Sequence, residues 1–210
     1  MLEARDIGFG YESQTRLLAG WNQRFAAGEV VAITGPSGRG KSTLLYILGL
    51  MLKPNNGMVL VEGRDVSSLS DANRAHLRAE VFGFVFQDAA LDSTRTIIDN
   101  VVETALYRGR SRAEAISKAN ELLERFGVGL RASARPGQVS GGQAQRIALC
   151  RALLNNPKIL LADEPTGNLD PLSAQVVVDA FHEQASMGSA VIVVTHDPTL
   201  VALCDRKVEL

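Results

Sequence analysis

One segment constrains this chain more than any other. Val30 to Thr34 is a β-branched apolar run of buried-strand length. It leads into a loop holding Gly35, Gly38 and Gly40, and from Lys41 to Met51 apolar residues recur at helical spacing. A strand, a glycine-rich loop and a helix in direct succession open a parallel α/β unit. The loop, Gly35-Pro36-Ser37-Gly38-Arg39-Gly40-Lys41-Ser42, fits G-x-x-x-x-G-K-[ST] in the context that gives that pattern its meaning. Glycines let backbone N–H groups turn inward around an anion. The helix start adds the positive end of its dipole. The segment from Gly35 to Thr43 therefore reads as a site for the phosphates of a nucleoside triphosphate. Lys41 places a point charge on the β- and γ-phosphates, and the Ser42 hydroxyl is a ligand for Mg²⁺.

The remaining patterns extend the α/β unit. Strands are predicted at Leu2 to Tyr11, as an edge, and at Trp21 to Phe25, Met58 to Val61, Phe82 to Phe86, Lys158 to Ala162 and Ala190 to Thr195. Helical spacing covers Ile97 to Leu106, Arg112 to Phe126, Ser140 to about Leu154, and Leu172 to about Ala185. Strands alternating with helices predict a mostly parallel sheet covered on both faces. The run of helices over residues 88–155 interrupts that alternation and reads as an inserted helical subdomain within a single domain over 1–210.

Composition narrows the class. Apolar residues make up 46% and charged residues 21%, the balance of an ordinary globular chain. A net charge of −1 gives no global field toward nucleic acid or anionic lipid, so no nucleic-acid partner is expected. Cys150 and Cys204 form no metal-ligand pair and read as two buried thiols in a reducing compartment. No apolar run approaches the ~18 residues that span a bilayer. The sequence predicts a chain that is soluble by itself and reaches a membrane only through a partner.

A second acidic feature belongs with the phosphate loop. The buried strand Lys158 to Ala162 ends in Asp163 and Glu164, at the edge of an open α/β sheet where ligands bind. Asp163 is placed to hold Mg²⁺, and Glu164 to orient and deprotonate an attacking water. The alternative is that the two acids only cap the next segment.

Val139-Ser140-Gly141-Gly142-Gln143 opens the following helix upstream of that strand. A Ser-Gly-Gly-Gln helix start is a second anion-binding feature. In this position it resembles the signature motif of ATP-binding cassette (ABC) proteins. That resemblance covers essentially the whole chain and implies a P-loop NTPase core with an N-terminal antiparallel β subdomain and a helical insertion. It implies that Gln87 senses the metal and contacts a membrane subunit. It makes Asn168-Leu169-Asp170 the D-loop, His196 the switch histidine on the γ-phosphate, and Tyr11 the aromatic that stacks on adenine, with Phe9 the alternative ring. His76 and His182 have no such context and read as surface residues.

The resemblance implies an ATPase that uses ATP and Mg²⁺, with Lys41, Glu164 and His196 as the catalytic set. Two copies pack head to tail, so that Ser140, Gly141, Gly142 and Gln143 of one complete the nucleotide site of the other. An integral membrane permease holds the pair peripherally at the cytoplasmic face. The string Glu164 to Asp170 is similar to the subfamily of lipoprotein-releasing, macrolide- or heme-exporting and cell-division systems. Export or extraction and transport-free signalling to an extracellular enzyme both fit that subfamily. A soluble relative acting on DNA or ribosomes needs a coiled-coil insertion or a second cassette, and this chain has neither.

Overall fold

The computed structural model describes residues 1–11, 17–167 and 169–210. Its elements run β1 (Leu2–Phe9), β2 (Leu18–Phe25), β3 (Val30–Thr34), α1 (Lys41–Leu48), β4 (Asn56–Val61), β5 (Arg64–Asp65), α2 (Asp71–Val81) and β6 (Phe82–Val85). Then follow α3 (Ile97–Leu106), α4 (Arg112–Arg125), α5 (Gly141–Leu153), β7 (Ile159–Asp163), α6 (Pro171–Ser186), β8 (Ala190–Val194), α7 (Pro198–Ala202) and β9 (Arg206–Glu209). Two single 3₁₀ turns, Gly129–Arg131 and Pro136–Gln138, lead from α4 to α5.

The β-branched runs assemble into a five-stranded sheet in the order β6-β7-β8-β3-β9, with every pair parallel. β3, β7 and β8 carry apolar side chains toward both faces, as a doubly covered parallel sheet requires. Alternate residues feed two cores. Leu160, Ala162, Val191 and Val193 join α3, α4, α5 and α6 on one face. Ile159, Leu161, Ile192 and Val194 join α1 and the second sheet on the other. Helices α3, α4 and α5 thus share a core with the parallel sheet.

The second sheet is antiparallel and four-stranded, in the order β2-β1-β4-β5. Here β1 is interior, paired on both sides, and not the edge its mixed sequence predicts. Its polar residues mark a one-faced sheet instead: Leu2, Ala4 and Ile7 are buried, while Arg5 and Asp6 are exposed.

Four elements lack the apolar signature of the rest, and one of them, β5, has no apolar residue. α2 buries only Arg74 and Val81, and its start is set by Ser70, whose hydroxyl accepts from the Asn73 amide. α7 begins with Asp197 as cap and Pro198 in the first turn. β9 buries only Val208 and is held by parallel pairing with β3. Among the described residues no helix is long and apolar enough to cross a membrane.

Candidate active site

The loop after β3 is shaped by backbone constraints. Gly38 and Gly40 take φ of 76° and 90°, conformations that carry a steric cost for residues with a Cβ. A Cβ on Gly35 would lie 2.9 Å from the Leu210 carbonyl oxygen. Gly40 caps α1 without a side chain, and the first turn holds no acid. Among the described residues the start of α1 has no side-chain cap, and it faces an exposed loop, the condition under which a helix start binds an anion. The Lys41 ammonium rests on the Gly35 and Pro36 carbonyl oxygens at 2.9 and 3.1 Å. Two of its three donors are thus parked on the loop that a phosphate would enter.

β7 delivers Asp163 to the same place. Its carboxylate is buried, and its Oδ1 has no hydrogen-bond partner among the described residues. Burial pushes the carboxyl above the usual range; Ser42 and Lys41 oppose that shift, and Glu164 adds to it. Ser42, Gln87 and Asp163 line one cavity of about 400 Å³ with Tyr46, Phe86, Asp88 and Ala90. No cluster of three His, Cys, Asp or Glu residues suited to a metal exists among the described residues. A hydroxyl, an amide and one carboxylate with an unpaired oxygen make a poor cage for a resident ion. They suit Mg²⁺, which keeps waters and shares substrate phosphates.

Glu164 sits one residue further on with φ of 44°, a left-handed conformation that is uncommon for glutamate. Its amide donates to the Val194 carbonyl at 2.9 Å, and this turn sends the side chain across to the end of β8. There Oε2 accepts from the buried Thr195 hydroxyl at 3.1 Å and from the His196 amide at 3.4 Å. Oε1 lies 2.7 Å from His196 Nδ1. The imidazole is otherwise exposed, and its pKa is raised first by this hydrogen bond and then by the carboxylate charge. The two acids thus diverge: Asp163 lines the cavity with Oδ1 unpartnered among the described residues, and Glu164 is engaged by Thr195 and His196. Sequence reasoning missed Thr195, which looks like the end of an apolar strand.

The other predicted residues separate into two groups. Phe9 is buried in the core while Tyr11 is exposed, with ring centroids 5.0 Å apart at 88°. Gln87 is exposed at the end of β6. Ser140 and Gln143 bond each other at the start of α5: the Ser140 hydroxyl accepts from the Gln143 amide at 3.2 Å, and Gln143 Oε1 accepts from the Ser140 amide at 3.0 Å. Gly141 is exposed, with open space where a Cβ would stand. None of Ser140, Gly141, Gly142 and Gln143 lines the cavity that holds Ser42, Gln87 and Asp163. Asp170 caps α6, accepting from the Leu172 and Ser173 amides at 3.1 and 3.0 Å. Asn168 lies outside the described residues. His76 is exposed, but His182 is half-buried, with Nε2 2.8 Å from the Leu203 carbonyl oxygen. Cys150 is buried and its thiol is pushed up to about 12, whereas Cys204 is only half-buried.

Comparison with known proteins places this geometry. Residues 18–167 match the family described as ABC transporter. The lipoprotein-releasing system ATP-binding protein LolD of Shewanella oneidensis is 45% identical over 93% of this chain and 86% of its own length. The macrolide export ATP-binding/permease protein MacB of Escherichia coli K12 is 43% identical over 100% of this chain but 33% of its own length. The ATP-binding cassette MJ0796, solved as a dimer in a post-hydrolysis state bound to ADP and Pi, superposes with a TM-score of 0.93 at 33% identity. That match covers 100% of this chain and 94% of MJ0796. The chain belongs to the ABC transporter family, as an ATPase subunit that binds and hydrolyses ATP with Mg²⁺.

Proposed function

We propose that this chain powers a membrane permease that extracts or exports its cargo, and that it does so as a head-to-tail pair at the cytoplasmic face. The names of LolD and MacB support the extractor or exporter reading. The observation that carries the pairing is that one chain holds two anion-binding helix starts, at Gly40 and at Ser140, and only the first adjoins the Asp163 cavity. A second copy gives the Ser140 start a nucleotide to hold. The dimeric form of MJ0796 supports the same arrangement.

In this reading the loop from Gly35 to Thr43 and Lys41 bind the phosphates, and Tyr11 offers the only exposed ring of its pair to adenine. Ser42, Gln87 and Asp163 hold Mg²⁺, which neutralises charge on the β- and γ-phosphates when bound. Glu164 takes a proton from the attacking water, held in place by Thr195. His196 passes from Glu164 to the γ-phosphate, adding a donor where charge develops. Asp170 fixes the start of α6 beside the exposed Leu172, on the surface where the partner's signature arrives. The permease docks in a groove of about 470 Å³ floored by Phe82, Phe84 and Phe86, whose rings stack 5.9 Å apart, and edged by Tyr107 and Arg78. An apolar floor with charged edges suits an amphipathic helix.

The test is sedimentation of the Glu164→Gln protein without nucleotide, with ADP and with ATP. The ligand shifts the equilibrium by its affinity difference between the two states, so a dimer is expected with ATP alone. A monomer in all three conditions, well above micromolar concentration, would overturn the composite site.

A further inference from the structure

The segment joining β6 to the helical region contains a strained turn. Ala89 and Ala90 have φ of 60° and 46°. Two successive residues with a Cβ in the left-handed region are sterically strained. Such a conformation persists only where its surroundings over-determine it.

Its restraint is a fork. Arg151, near the end of α5, donates from one guanidinium nitrogen to the Ala90 carbonyl at 2.6 Å and from the other to the Ala89 carbonyl at 2.7 Å. Gln145, buried on the same helix, donates to the Phe86 carbonyl at 3.1 Å. The main-chain carbonyl of Arg151 accepts from the Thr104 hydroxyl on α3 at 3.4 Å. Residues 86–90 are therefore gripped at both ends by α5, the helix whose first turn is the Ser140–Gln143 capping box. Gln87 lies inside the gripped segment. The position of this segment is equally pointed: Phe86 lines both the groove and the Mg²⁺ cavity, Ala90 lines the cavity, and Arg151 lines the groove.

We infer that Arg151 is a positioning residue: its fork on the Ala89 and Ala90 carbonyls sets Gln87 toward the Mg²⁺ cavity and fastens it to the helix that begins at Ser140. This rests on the reading of Gln87 as a metal contact. A planar fork is needed because two carbonyls must be held at once in one geometry, which a lysine ammonium does not match. The strain gives the fork its consequence. With glycine at these two positions the turn would hold its shape at little cost; with alanine it relaxes once the fork is lost, and Gln87 moves with it.

The experiment is steady-state ATP hydrolysis and Mg²⁺ titration on the full chain, with thermal melting as a control. Arg151→Met removes the fork and keeps most of the stem. It is expected to lower kcat about ten- to hundredfold, the range that misplacement of a catalytic contact produces. The KM for ATP should stay within about threefold, because ground-state phosphate contacts are untouched. The Mg²⁺ midpoint should rise. Arg151→Lys should move kcat and the Mg²⁺ midpoint in the same directions, and it carries the test if the methionine variant does not fold. Adding Ala89→Gly and Ala90→Gly to Arg151→Met should recover at least about threefold in kcat, since those substitutions remove the strain. A filler role for Arg151 predicts no such rescue. Wild-type kcat and Mg²⁺ midpoint in both arginine variants would overturn the inference. So would a loss that the glycines leave unchanged while every variant melts as wild type does. Gln87→Ala separates the two readings: an unchanged Mg²⁺ midpoint there sinks the metal role of Gln87, whereas a raised midpoint there with no effect of Arg151 sinks only the positioning role.

Discussion

The two helix starts proposed to hold nucleotide phosphate in this chain are built in opposite ways. Among the described residues α1 begins on a bare glycine with no side-chain cap, and the nearby Asp163 Oδ1 has no partner. α5 begins on a serine whose cap bonds are closed by its own Gln143, and the Glu164 carboxylate is likewise closed by Thr195 and His196. The α1 start and Asp163 are open as they stand, although the Lys41 ammonium beside them already rests on the Gly35 and Pro36 carbonyls. In the second set the Glu164 carboxylate and His196 are engaged with each other, whereas the Ser140 hydroxyl accepts within its cap and keeps its own proton to donate. In the function proposed above, the open groups hold ATP in the ground state and the engaged Glu164 and His196 act after it.

The largest effect should come from the self-engaged set. Glu164→Gln keeps the shape and the hydrogen-bond acceptor but not the base. Turnover should fall by about 10²–10⁴-fold, the usual worth of a general base, while binding of a fluorescent ATP analogue stays within about twofold because the open set is untouched. Phosphate release above roughly half of wild type would break the comparison at its main joint.

Lys41→Ala probes the open set and should do the reverse. The ammonium is a ground-state contact, worth about 1.5–3 kcal/mol as a charge-assisted bond. Nucleotide affinity itself should weaken by roughly ten- to hundredfold. Equal affinity of mutant and wild type for the analogue would mean that this loop is not the phosphate site. A smaller effect is expected at the other helix start. Ser140→Ala removes a cap that typically contributes about 1 kcal/mol. Chemical denaturation should register that loss, ATP binding by the monomer should not change, and hydrolysis by the pair should drop. Weakened monomer binding would place Ser140 in its own nucleotide site and collapse the distinction between the two starts.

The sequence made these two starts legible to different depths. The parallel strands and most helices could be read because Val30–Thr34, Ile159–Asp163 and Ala190–Val194 are unbroken apolar runs, and because α3 and α6 bury apolar residues at helical spacing. α2 and β9 escaped because they bury one apolar residue each, Val81 and Val208. Pairing and capping define them, and neither is a matter of periodicity. β1 looked like an edge because exposure of one face reads the same as exposure of one side. At the site, residue types and spacing made Lys41, Asp163 and Glu164 candidates. They carried nothing of who holds whom. The Thr195 and His196 grip on Glu164 and the Arg151 fork on Ala89 and Ala90 arise from contacts across strand ends and between helix and loop. No local pattern encodes those contacts.

The smallest effect concerns a proton, and it tests the self-engaged state directly. The His196 imidazole is mostly exposed, so desolvation, which lowers a histidine pKa, opposes the rise only weakly. The first cause is the hydrogen bond to Glu164, and the second is the carboxylate charge. The raised value means the folded chain holds this proton more tightly than the unfolded one. Whatever stability the pair contributes is fully present below the ordinary histidine pKa near 6.5 and is lost as pH rises through the raised value. NMR titration of the three histidines, with His196→Gln to assign the resonance, should place the wild-type His196 midpoint above the ordinary histidine range. Glu164→Gln removes the charge but leaves an amide oxygen to accept the bond, so the midpoint should fall part of the way back. Glu164→Ala removes both and should bring it back furthest. The two variants thus rank the causes by hydrogen bond and by charge. A midpoint that is the same in all three proteins would mean that Glu164 and His196 are not paired in solution, and that Glu164 is as open as Asp163.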